Sequence, residues 1–190
     1  MNTLLPDSLN ILGQELDIRT DFRDILVICK VLDDVSLTKE EKAYITLRCL
    51  FYEWERLPAE GLEEALKKAF WFIGGGDIPK TKSSGKRIID FETDAFMIYP
   101  AVSKTLGVID VRALDHLHWF TFLGAFGENG EGLLSFTLSL RGKLNEGKKL
   151  EKYEKEFIKK NRDIVILHSK EEQAAIDETE AFLESIGKEQ

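Results

Sequence analysis

The chain has 190 residues, 43% hydrophobic and 32% charged, with 26 basic side chains against 34 acidic ones. That length suits one large domain or a domain plus an appendage, and the apolar fraction is too high for a disordered chain. A formal charge of −8 argues against a general binder of nucleic acid or anionic membrane, since both require a positive footprint. No run of about 18 uncharged apolar residues occurs, so no membrane span is expected. The opening MNTLLPDSLN lacks the basic and apolar regions of a secretory signal. Cys29 and Cys49 fall in helix-like apolar patterns and read as reduced core residues of a cytoplasmic protein.

The first element alternates. Leu9 and Ile11 share one face, Leu16 and Ile18 share another, and Gly13 lies between, which predicts a small β-hairpin. A lone hairpin is marginal, so it should lie on helices or another subunit. From Asp21 the period becomes helical. Thr20 can cap a helix with the stripe Phe22, Ile25, Leu26, Cys29 and Leu32. Thr38 and Glu41 form a capping box ahead of Ala43, Leu47, Leu50, Phe51 and Trp54. Pro58 opens the next helix, whose stripe is Leu62, Leu66, Ala69, Phe70 and Ile73, and Gly74-Gly75-Gly76 stops it.

A polar loop with Lys80, Lys82, Lys86 and Arg87 follows. Asp90 then caps a helix carrying Phe91, Ala95, Ile98, Tyr99, Val102 and Leu106, kinked at Pro100 and ended by Gly107. Asp110 caps a helix expected over 111–126, apolar on most sides and hence central. A shorter helix is predicted around 132–140. After Arg141 the composition turns to lysine and glutamate, with a thin stripe of Leu150, Tyr153, Phe157 and Ile158. Ser169 and Glu172 form a second capping box, opening a last helix with Ala175, Thr179, Phe182, Leu183 and Ile186. About 62% of the chain reads as helical, roughly twice the usual share. The prediction is a mainly α, compact multi-helix domain with a small N-terminal β-hairpin. Residues 1–140 form the core, and 141–190 form a charged amphipathic helical segment, either docked on the core or frayed from it.

Chemical motifs are few. Gly85-Lys86 fails as a phosphate loop, because Lys80 stands where a glycine is required and Arg87 where a hydroxyl is required. His116 and His118 are two apart and on a helix would point about 200° apart, which rules out shared ligation of one metal there. One imidazole is expected to bond within the core and the other to face water. No Gly-x-Ser-x-Gly elbow exists, and both cysteines lie on apolar stripes where a thiolate is disfavoured. The acidic clusters sit in first helical turns or interleave with lysines as solvated faces. No catalytic residue, metal or cofactor is expected, and the chain reads as a non-enzyme.

The aromatics are unusual. Phe70-Trp71-Phe72 and Trp119-Phe120 put bulky rings at successive helical positions about 100° apart, so they cannot all join one stripe. They form either a second packing layer or a partner surface.

Several stretches resemble one phage family. They are the hairpin running into Asp17-Ile18-Arg19-Thr20-Asp21-Phe22-Arg23, the segment LEEALKKAFWF from Leu62 to Phe72, Arg87-Ile88-Ile89-Asp90-Phe91-Glu92-Thr93-Asp94-Ala95, and Leu117-His118-Trp119 with Phe122 and Phe126. In order and spacing this set is similar to the "gene product fifteen" family of siphophage tail proteins over roughly residues 8–165, with departures at Pro100 and Phe120. The resemblance implies a tail assembly chaperone in the host cytoplasm. Such a protein would keep the tape-measure protein soluble and recruit tail-tube subunits, with Trp71, Phe72, Trp119 and Phe120 as candidate partner contacts. A homo-oligomer is compatible with this. Two other readings stand beside it: a structural or head–tail completion component retained in the virion, and an adaptor binding nucleic acid through the basic loop 80–87.

Overall fold

The structure is a computed structural model that describes residues 5–76, 87–128 and 130–167. Helices take up 61% of it, and the architecture is mainly α with a two-stranded antiparallel hairpin at the start. Strand β1 (Ser8–Ile11) pairs with β2 (Gln14–Asp17), with Leu9 opposite Leu16 and Ile11 opposite Gln14. Leu12 and Gly13 make the turn with φ of 49° and 86°, the left-handed pair that a two-residue hairpin loop requires. Leu9, Ile11, Leu16 and Ile18 are all buried, as the alternation predicted. The hairpin does lie on helices. Its Ile11 packs against buried Gly61, where a β-carbon would stand 2.9 Å from the Ile11 Cγ2.

Residues 17–22 then thread extended between two other segments. On one side Arg19 N donates to Leu50 O and Tyr52 N to Asp17 O; on the other Phe22 N donates to Leu117 O and Trp119 N to Thr20 O. This thread joins the end of one helix to the start of another far along the chain.

Helix α1 (Phe22–Asp33) is capped by Asp21, whose carboxylate accepts from Arg23 N. The expected cap, Thr20, is instead held in the thread by the Trp119 amide. Helix α2 (Lys39–Leu50) opens with the predicted Thr38–Glu41 capping box. A 3-10 turn over Ala59–Gly61 leads into α3 (Leu62–Ile73). Here the buried stripe is Ala65, Ala69 and Phe72, one step round from the expected one, so Phe70 is 45% exposed rather than core.

Helix α4 (Ala95–Leu106) contains Pro100 and ends at Gly107. Asp90 does not cap it directly. Its carboxylate accepts from Glu92 N and Thr93 N, closing a turn that precedes the helix. The long helix expected over 111–126 is broken. Asp110 caps only a 3-10 turn, Val111–Ala113, and α5 runs from Trp119 to Gly127 with His118 as its cap. The reason is the thread: Leu117 and Trp119 bond to Phe22 and Thr20, which demands extended backbone where the apolar pattern suggested helix. Helix α5 is nonetheless central, packing on α1 and α4, with Phe122 stacked on Phe22 at 4.8 Å.

Helix α6 (Leu133–Asn145) runs straight through residue 140 and buries Arg141. Helices α7 (Lys152–Lys160) and α8 (Arg162–Val165) follow. Phe136 of α6 meets Phe157 of α7 edge-on at 4.9 Å, and Lys143 reaches buried Glu154 at 2.6 Å. The second capping box at Ser169 and the last predicted helix lie outside the described residues.

Candidate partner-binding surface

The four candidate contacts fall into two pairs. Phe72 is 0% exposed and Trp119 1%, so both are core residues with no surface to offer a partner. The Trp119 indole N–H donates to Ile73 O at 2.9 Å, fixing α5 under the end of α3, and its ring stacks on Phe122 at 5.5 Å. Phe72 lies on the inner face of α3 with Ala65 and Ala69. This is the packing-layer outcome for these two.

Trp71 and Phe120 are half-buried and adjacent, their ring centroids 6.0 Å apart and edge-on. Phe120 stacks on Phe72 at 5.1 Å, and His118 meets both phenylalanine rings edge-on, at 5.9 Å from Phe72 and 5.5 Å from Phe120. The glycines ending α3 lie over this pair. Gly76 comes close to both Trp71 and Phe120, and a β-carbon on Gly75 would sit 2.8 Å from Leu123 Cδ1. Trp71 and Phe120 therefore form a fixed aromatic edge, with exposed Phe70 one position before Trp71 on the same helix end. Sequence reasoning placed Phe70 inside. The i, i+4, i+7 spacing of Ala65, Ala69 and Phe72 was the signal for the true phase.

His118 precedes α5 instead of lying within a helix. Its Nδ1 accepts from Phe120 N, and its Nε2 donates to Pro6 O at 3.0 Å, while exposed His116 bonds Thr20 Oγ1. One imidazole thus bonds inside and the other faces outward. No group of three or more His, Cys, Asp or Glu among the described residues could hold a metal ion. Both cysteines are free and only partly buried. Desolvation, with Asp33 nearby, pushes the Cys29 thiol up to about 11, so a reactive thiolate is disfavoured.

Among the surface clefts lined by described residues are the following three. One of about 320 Å³ lies between α1 and the start of α4, over Leu26, Phe91 and Tyr99. It is bridged by Lys30–Glu92 at 2.6 Å and flanked by Arg87–Asp33 at 2.9 Å. A second, about 400 Å³, separates α4 from the start of α6 at Phe96, Pro100 and Leu133. The third, about 390 Å³, lies between α1 and α2 at Val27, Tyr44 and Arg48. Of the basic loop, residues 80–86 lie outside the described residues. Arg87 is engaged with Asp33 and with Asp90 at 2.7 Å.

The architecture is that of a helical domain with a hairpin strapped across it, and no described helix is long and apolar enough to cross a membrane. The chain belongs to the family described as Bacteriophage Gp15 protein, whose model matches residues 1–167. It is therefore a bacteriophage protein. No curated protein and no solved structure matches it.

Proposed function

We propose that this phage protein is a tail assembly chaperone, acting in the host cytoplasm, that holds the tape-measure protein soluble and brings tail-tube subunits to it. The observation that carries the reading is the aromatic edge at the end of α3, where exposed Phe70 and half-buried Trp71 and Phe120 meet solvent on a bacteriophage protein. A tape measure is a long helical protein whose apolar seams aggregate when bare. An edge whose Phe120 ring is held by Phe72 and His118 suits such a seam, because rigid rings lose little entropy on binding. Each ring newly covered contributes about 1–3 kcal/mol, so several modest contacts give a hold that the tube protein can later displace. The −8 charge would keep the assembly dispersed.

The test is co-expression with the tape-measure protein, comparing the natural chain with Phe70→Ser combined with Trp71→Ala. Soluble, co-eluting tape measure with the natural chain, and loss of it with the variant at unchanged circular dichroism, is the expected result. A tape measure that stays insoluble with the natural chain overturns the reading.

A further inference from the structure

We propose that His118 is a proton-operated latch for the aromatic edge: the neutral ring holds Phe120 in place beside Trp71, and the charged ring lets it go. The latch itself rests on the hydrogen bonds of the imidazole. Its use in releasing a partner rests on the function proposed above.

Those hydrogen bonds admit one form of the ring. A backbone amide can only donate, so Nδ1, 3.1 Å from Phe120 N, carries no proton. A backbone carbonyl can only accept, so Nε2, 3.0 Å from Pro6 O, carries one. Both contacts select the same neutral tautomer. A further proton from solvent can add only at Nδ1, where it turns the acceptor into a donor facing the Phe120 N–H, while the bond to Pro6 survives. The cap of α5 is then lost, and a positive charge stands at a helix end that already carries partial positive charge. An asparagine or serine cap has no such response. An imidazole cap does, because imidazoles change charge between about pH 8 and pH 5.

The part set free is the outer ring of the edge. Phe120 is the second residue of α5; its ring meets Trp71 at 6.0 Å and His118 at 5.5 Å, and it stacks on Phe72 at 5.1 Å. Phe72 is buried, whereas Phe120 and His118 are half-buried, so protons reach the latch and Phe120 has room to move. Among the described residues, the charged or titratable groups on the segments around His118 are Asp7, Asp21, Arg23, Asp115 and His116, and α3 offers it the apolar ring of Phe72. Asp21 is taken by Arg23 and the Leu117 amide, and Asp7 and Asp115 are exposed. His116 is exposed and bonds Thr20 Oγ1, away from the edge.

The experiment is an NMR titration of the full-length chain from pH 8 to pH 5, following the histidine ring nitrogens, the Phe120 amide and the Trp71 indole, with signals assigned by His118→Asn and Trp71→Phe. At pH 8 the His118 ring is expected as the Nε2–H tautomer. As it charges, the Phe120 and Trp71 signals should move with the same midpoint, and protection of the Phe120 amide against exchange should fall about fivefold, as a lost cap predicts. In His118→Asn both signals should lose their pH response. An Nδ1–H tautomer at pH 8, a ring still neutral at pH 5, Phe120 and Trp71 signals unmoved while His118 charges, or a response that persists in His118→Asn would overturn the latch. A second arm washes immobilised complex with the tape-measure protein at pH 7.5 and pH 5.5. Release at the lower pH by the natural chain, and equal retention at both by His118→Asn, is expected. Equal retention by the natural chain overturns the use of the latch in release. Failure to form any complex overturns the chaperone reading, and the titration still decides the latch.

Discussion

Arg141 and Asp94 form a two-pronged ion pair in the interior, with Nη1 2.6 Å and Nη2 2.9 Å from the two carboxylate oxygens, and both residues are buried. The remaining donors of the guanidinium go to backbone carbonyls: Nε to Val165, Nη1 also to Ile88 and Nη2 also to Ile164. One side chain of α6 thereby ties the approach to α4 to the last described helix. Asp94 is completed by the Asp90 amide at 2.9 Å. A buried pair with every donor used is costly to break singly, because the survivor is left charged in a dry site.

Arg141→Met is therefore expected to destabilise the domain by about 3–5 kcal/mol. Combining it with Asp94→Leu should return part of that loss, since no unpaired charge then remains. Urea unfolding of the two singles and the double gives the coupling directly. Equal stability of single and double variants would show that the pair is not coupled as drawn.

Asp21 fixes the junction of the thread with α1 and α5. Partial burial pushes its carboxyl up, but the Arg23 side chain and the amides of Leu117 and Arg23 outweigh that and hold it below the usual carboxylate range. A carboxyl whose folded value is depressed stabilises the fold above its unfolded value and loses that contribution as pH falls through the folded one. Stability should thus decline from about pH 4 downward. Asp21→Ala should lower stability at pH 7 by about 1–2 kcal/mol through the lost cap and Leu117 bond, and should flatten the acid limb. Thermal melts from pH 7 to pH 3 distinguish these.

Gly61 tests how the hairpin sits. Even a β-carbon there would approach Ile11 Cγ2 to 2.9 Å and Pro58 Cγ to 3.0 Å. Gly61→Val should cost about 1–3 kcal/mol by overpacking and speed amide exchange in β1 and β2 more than in α6. Uniform exchange throughout the domain would mean that the hairpin is not separately displaced.

Glu154 is buried on α7, accepts from Lys143 at 2.6 Å and takes the Glu151 amide at 2.8 Å. Glu154→Ala should release α7 from α6, seen as faster amide exchange over 152–160 with α1 to α3 unchanged. If protection over α7 persists, the contacts of Phe136 with Phe157 and Tyr153 are enough to hold it.

The sequence by itself determined what depends on neighbours in the chain. Period two at Leu9, Ile11, Leu16 and Ile18 was enough for the hairpin, and the Thr38–Glu41 box was enough for the start of α2. The helical content followed from summed periodicity, and the ordered motifs were enough to point to the phage family. Tertiary structure decided the rest. Residues 117–119 carry an apolar, helix-compatible pattern, yet they are extended because Thr20 and Phe22, nearly a hundred positions away, bond their backbone. The phase of α3 shifted by one residue because small Ala65 and Ala69 admit close packing that Phe70 would block. In the sequence Arg141 marks only the point where the composition turns to lysine and glutamate. Only the fold shows that Asp94 and three carbonyls converge on it. Local pattern fixes torsions and faces, whereas long-range hydrogen bonds and packing choose among them, and those partners have no signature in sequence spacing.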